Sequence, residues 1–167
     1  DISAVKYLEE LNGVRGRMEL AGTLKNGAAV YVDFAHTPDG LKTVLESLRP
    51  HTQGRLHVVF GCGGDRDAGK RPIMGEIAAQ LADRAIVTDD NPRSEDAAAI
   101  RQAVLQGSEK LLEIGGREKA IKLAIADLEK NDILVIAGKG HEQGQIIGDQ
   151  ILPFDDVSVA REYIKDR

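Results

Sequence analysis

The stretch RLHVVFGCGGDRDAGKRPIMGEIAAQLADRAIVT, residues 55–88, decides the fold. Its first apolar run, LHVVF, is short and bounded by glycines, which reads as a buried strand. A glycine- and aspartate-rich loop follows. IMGEIAAQLAD then reads as a helix, and AIVT as a second strand running into the polar cluster DDNPR. Strands alternating with helices, each strand ending in Gly/Asp-rich loops, predict an α/β fold with a mainly parallel, Rossmann-like sheet covered by helices on both faces.

The pattern extends in both directions. Upstream, MELAGTLKNGAAVYVDF (18–34) reads as an N-terminal hairpin, with Asn26-Gly27 supplying the two positive-φ residues of a type I′ turn. Thr37-Pro38-Asp39 opens a helix, with proline tolerated in the first turn, and Leu41, Val44, Leu45 and Leu48 recur at helical spacing. Downstream come a helix over 97–107, a short strand KLLEI, a helix over 117–128 with Ala120, Leu123, Ala124 and Leu128 as its apolar face, a strand DILVIAG, and a last helix from about Asp156. The first residue is Asp, and 2–14 reads as a helix already under way, so a fragment or processed product is expected. With 167 residues and no internal linker or repeat, one domain is expected.

Composition narrows the functional classes. Apolar residues make up 42% and charged residues 29%, an ordinary globular balance. A net charge of −5 with no Lys/Arg cluster argues against nucleic acid and anionic membrane surfaces as partners. The longest apolar run, 133–137, is far too short to span a bilayer. A single cysteine excludes an internal disulfide framework and fits a reducing, cytoplasmic setting, and the four scattered histidines show no zinc spacing.

Ligands of such sheets sit beyond the carboxyl ends of the strands. Four polar clusters follow strands here: DFAHTPD (33–39), GCGGDRD (61–67), DDNPR (89–93) and GKGHE (138–142). The loop GDRDAGK (64–70) has the G-x-x-x-x-G-K shape of a phosphate cradle, but Arg71 replaces the magnesium-holding Ser/Thr and Asp65 and Asp67 place negative charge inside the loop. It is read as a look-alike whose glycines let backbone approach a ligand and whose Arg66 can fork onto a carboxylate. Asp90, Asn91 and Arg93 are either an Asx turn before Pro92 or, beside Arg66, part of a site for a ligand bearing both an ammonium and a carboxylate. His36 is a base, a ring-stacking group or a helix-start histidine. His141 and Glu142 are freed by the glycines around Lys139. His57 is expected in the core, His51 at the surface, and Cys62 as a small hydrophobe.

With GRME (16–19) and GCGGDRDAGKRP (61–72) added, the ordered clusters resemble the C-terminal domain of the Mur ligases over nearly the whole chain, with Phe34 where the family usually has Tyr. Within that family, DNPR resembles the form found in enzymes that take meso-diaminopimelate. The resemblance implies an ATP-dependent, amide-forming ligase of peptidoglycan precursor synthesis. ATP would phosphorylate the carboxylate of UDP-MurNAc-L-Ala-D-Glu, and the incoming amine would attack the acyl phosphate. It further implies a three-domain enzyme of which this chain is the third domain, with the phosphate loop and magnesium ligands in the absent central domain. No catalytic residue is then expected in this domain alone. Carried over, Arg66, Asp90, Asn91, Pro92, Arg93, Gly138 and Glu142 would form the meso-diaminopimelate pocket, Arg93 clamping the distal carboxylate and Glu142 meeting an ammonium. Arg17 would reach the ATP phosphates, and Asp33 and His36 the ribose and base. A lysine-adding relative, a non-catalytic amino-acid-binding module and a free-standing nucleotide hydrolase using Lys70 are the rival readings.

Overall fold

The two most apolar runs, 56–60 with a single histidine and 133–137 with none, pair in parallel at the centre of a six-stranded sheet and are buried on both faces. The computed structural model describes residues 13–165. Within them run β1 (Glu19–Thr23), β2 (Ala29–Asp33), α1 (Pro38–Leu48), β3 (Leu56–Phe60), α2 (Lys70–Leu81), β4 (Arg84–Val87), α3 (Ala97–Leu105), β5 (Leu112–Glu113), α4 (Arg117–Ala126), β6 (Ile133–Ala137), β7 (Gly144–Ile147), β8 (Gln150–Pro153) and α5 (Asp156–Lys165). The sheet order is β1-β2-β6-β3-β4-β5, with only the β1–β2 pair antiparallel, as the sequence predicts. The helix expected over 2–14 falls almost wholly outside the described residues.

Side-chain alternation splits the core in two. Leu56, Val58 and Phe60 of β3 and Val135 of β6 point to one face, where Leu41 and Leu45 of α1, Met74 of α2 and Val104 of α3 meet them. Val59, Leu134 and Ile136 point to the other, against Ile121 and Ile125 of α4 and Val157 of α5. Burial of each such side chain contributes roughly 1.5–3 kcal/mol, which makes the sheet centre the stable part of the molecule. Thr37 accepts from Gly40 N and, with Pro38 next, fixes where α1 begins and so where the loop after β2 must end.

The structure corrects the sequence reading in three places. The first turn is not type I′: Gly27 has φ +88°, but Asn26 is not in the left-handed region. Gly27 N donates to Leu24 O and Leu24 N to Ala28 O, so Lys25-Asn26-Gly27 is a three-residue loop, a type I turn closed by a glycine bulge. Asn26 is held there by one local and one tertiary bond, accepting from Ala28 N and donating to Leu128 O. Leu123 is 45% exposed, and Ile121 and Ile125 take its expected place in the core. The hairpin β7–β8 was not foreseen. Its strands, half-buried in β7 and exposed in β8, lack the burial alternation that marks a core strand, although Gly148-Asp149 is a recognisable two-residue turn.

Candidate functional site

The loops after β2, β3, β4 and β6 converge beyond the carboxyl ends of their strands and line one cavity of about 760 Å³. All four polar clusters of the sequence contribute to it, among them His36, Arg66, Asp90, Asn91, Arg93, Gly138 and Glu142. Pro92 is buried and does not line the cavity, and neither do Arg17 and Asp33.

The loops are bonded to one another before any ligand arrives. Gly64 N donates to Asn91 O, and Arg93 Nη1 donates to Gly64 O at 2.8 Å. A Cβ at Gly64 would lie 1.9 Å from Pro92 O, so only glycine allows these two loops to close together. Arg71 is buried and donates to Glu95 at 2.8 Å, and Lys70 Nζ donates to His36 O at 2.6 Å. The Arg71 bond comes first in holding Glu95 below its ordinary carboxyl range. The residues that would have to bind phosphate are therefore spent on loop-to-loop bonds. Among the described residues no cluster of three His, Cys, Asp or Glu could hold a metal ion. These residues do not fit a self-standing nucleotide–magnesium site.

Charge inside the cavity is arranged differently. Arg66 and Arg93 have no carboxylate within ion-pair distance among the described residues, and Arg93 keeps φ +53°. Across from them, Asn91 Nδ2 donates to Glu142 Oε2 at 2.9 Å and Lys139 Nζ donates to the same oxygen at 3.0 Å. Burial pushes the Glu142 carboxyl up, but the bonds from Asn91 and Lys139 outweigh it and the group sits below its ordinary range. Asp90 Oδ2 lies 4.0 Å from Arg117 Nη1 and 2.7 Å from where a Cβ of Gly138 would stand, so a side chain at 138 would displace it. Arginines without an ion-pair partner together with the ionised Glu142 can hold a ligand that carries both charges.

A second group of predicted residues stands at the rim. Arg17 stacks over the Phe34 ring at 4.8 Å, and the His36 and His141 rings lie 4.6 and 5.2 Å from it. Asp33 is already engaged: its oxygens accept from Ala35 N and Met18 N, both at 2.8 Å. It shapes the start of the loop. His57 is in the core, its Nε2 3.0 Å from Asp132 Oδ2, and Cys62 is buried with its thiol pushed up to about 11 by burial. His51 is exposed.

The family described as Mur ligase, glutamate ligase domain, matches residues 16–140. The chain belongs to the Mur ligase family. Among curated proteins it is similar to the UDP-N-acetylmuramoyl-L-alanyl-D-glutamate–2,6-diaminopimelate ligases of Zymomonas mobilis (65% identical over 92% of this chain and 32% of that one) and Agrobacterium fabrum (57% over 98% and 34%). It thus spans about a third of the length of these relatives. A solved ligase of the same name superposes with a TM-score of 0.86 at 42% identity, over 99% of this chain and 35% of that one. A folylpolyglutamate synthase from Thermotoga maritima shares the fold, with a TM-score of 0.61 at 24% identity over 83% of this chain and 31% of that one.

Two parts of this Mur ligase site escaped the sequence reading. Strand β7 is stitched to the DDNPR loop: Arg93 N donates to Ile146 O, Gly148 N to Arg93 O, Ile146 N to Asn91 Oδ1, and Gln145 Nε2 to Asp90 O. These bonds hold Arg93 in its left-handed conformation, which is uncommon for a residue with a side chain. Lys139 is wholly buried, which its two flanking glycines only hinted at.

Proposed function

We propose that this chain is the C-terminal domain of an ATP-dependent ligase that adds meso-diaminopimelate to UDP-MurNAc-L-Ala-D-Glu in peptidoglycan precursor synthesis. The observation that carries the reading is the cavity with two arginines, Arg66 and Arg93, that lack carboxylate partners, facing the ionised Glu142. Diaminopimelate ends in a second amino-acid head, one ammonium and one carboxylate. In this reading Arg93, with Arg66, clamps the distal carboxylate, Glu142 and Asp90 meet an ammonium, and Asn91 and Gly138 shape the pocket. The relatives' names, which specify 2,6-diaminopimelate, support it.

The rest of the parent enzyme, two further domains in this reading, holds the UDP-sugar peptide, the phosphate loop and magnesium. ATP and magnesium, when bound there, supply the activated carboxylate. The residues of this chain hold and orient the amine that attacks it, an advantage of position. Arg17 and His36, grouped around Phe34, face the nucleotide from outside when the domains close. L-lysine has the distal ammonium but not the distal carboxylate, and would leave Arg93 without a partner.

The test is amino-acid-dependent ADP release by the full-length ligase with UDP-MurNAc-L-Ala-D-Glu, ATP and magnesium. Release with meso-diaminopimelate and not with L-lysine is expected. Release with lysine alone would remove the specificity assignment, and release with neither would overturn the reaction.

A further inference from the structure

The amino-acid site leaves one buried charge without a role. Lys139 is 0% exposed, does not line the cavity, and yet places its Nζ 3.0 Å from Asn91 Oδ1 and 3.0 Å from Glu142 Oε2. A buried ammonium without a counter-charge gives up its proton. Here the carboxylate is three residues away along the same loop. The geometry then fixes two further orientations. Asn91 Oδ1 accepts from both Lys139 Nζ and Ile146 N, so its Nδ2 has to point at Glu142. Glu142 Oε2 is filled by two donors, and Oε1 has no hydrogen-bond partner among the described residues.

We propose that Lys139 is a positioning residue of the amino-acid site: without touching the substrate, it aligns Asn91 and anchors Glu142 through Oε2, with Oε1 left for the substrate ammonium. The proposal rests on the reading of the cavity given above. Other charges act on Glu142 as well. Arg93 from the DDNPR loop favours its ionised form, and Arg117 from α4 interacts with it through space. Asp90 lies beside Arg117, Arg66 lines the cavity from the glycine loop, and His141 follows Lys139 at the rim. Of these cations only Lys139 bonds Glu142 directly. Its removal therefore acts first on that carboxyl, whose folded-state value rises.

The experiment compares the full-length ligase with its Lys139→Met variant. The KM for meso-diaminopimelate should rise about tenfold or more, with kcat at saturation and the KM for ATP within about threefold. The acid limb of kcat/KM for the amino acid should move to higher pH, a change that mere loosening of the fold would not produce. An unchanged KM, or equal losses for amino acid and ATP with the acid limb in place, would overturn the proposal. If the single variant does not fold, Lys139→Met with Glu142→Gln removes both charges together. Recovery of a cooperative melt supports the charge-holding role, and continued failure makes Lys139 a packing residue and refutes it. Calorimetric titration of the wild-type enzyme with meso-diaminopimelate reports separately on the site itself: no binding there would strike the underlying reading.

Discussion

Arg117 and Arg93 are the same residue type at the same end of the same sheet, and they do opposite things. Arg117 is wholly buried, holds Asp156 through two hydrogen bonds of 2.8 and 2.7 Å, and donates to the carbonyls of Asp89 and Ala137. Every donor it spends goes to the protein. Arg93 is half-buried at the cavity wall, gives hydrogen bonds only to backbone carbonyls, and has no carboxylate within ion-pair distance among the described residues. One arginine belongs to the folding problem and, in the function proposed above, the other to a ligand. The difference can be tested by asking what each loss damages.

The largest effect on the fold should come from Arg117→Met. It leaves Asp156 buried without its counter-ion, at a cost of roughly 3–5 kcal/mol, or about 10 °C in Tm. A thermal melt checks this, and a loss under about 1 kcal/mol would place Arg117 in the class of ordinary surface arginines. Arg93→Ala should reverse the pattern, with stability changed by less than about 1 kcal/mol and the KM for meso-diaminopimelate raised by about a hundredfold while the KM for ATP barely moves. Equal losses for both substrates would erase the distinction.

A smaller effect sharpens the same contrast between protein-satisfied and cavity-facing charge. Burial holds His57 below its ordinary value of 6.5, against the pull of Asp132. The unfolded chain therefore binds the proton more readily, so this contribution to stability is present above about pH 6.5 and is lost as pH falls through the folded-state value. Urea midpoints at about pH 7.5 and about pH 5.5 should differ less in His57→Gln than in the wild type. The smallest effect belongs to Lys42, paired with Glu46 at 3.9 Å with both side chains more than half exposed. Lys42→Ala should change stability by no more than about 0.5 kcal/mol, a control for charge that neither fold nor site uses.

The sheet was legible because its central strands are written locally, as short, mostly apolar runs at 56–60 and 133–137 that end in glycine-rich loops. The convergence of four loops on one cavity was legible too, since parallel strands put their carboxyl ends on one edge. What stayed hidden depends on distant partners. Asn26-Gly27 reads as one turn type, but the bond from Asn26 to Leu128 lies 102 residues away and favours another. Arg71 and Arg117 carry no sign of burial in a linear reading, because the carboxylates that allow it are set by the fold; the partner of Lys139, Glu142, is local, but only the fold buries that ammonium. The hairpin β7–β8 buries little of itself, so no hydrophobic period announced it.

That hairpin offers a spectroscopic handle. The amides of Ile146 and Gly148 are bonded to Asn91 and Arg93 and not to β8. Their hydrogen exchange should follow opening of the DDNPR loop, while the amides of β3 and β6 follow global unfolding. Two backbone protons outside the cavity would then report, in the absence of catalysis, how firmly the cavity-lining arginine is held.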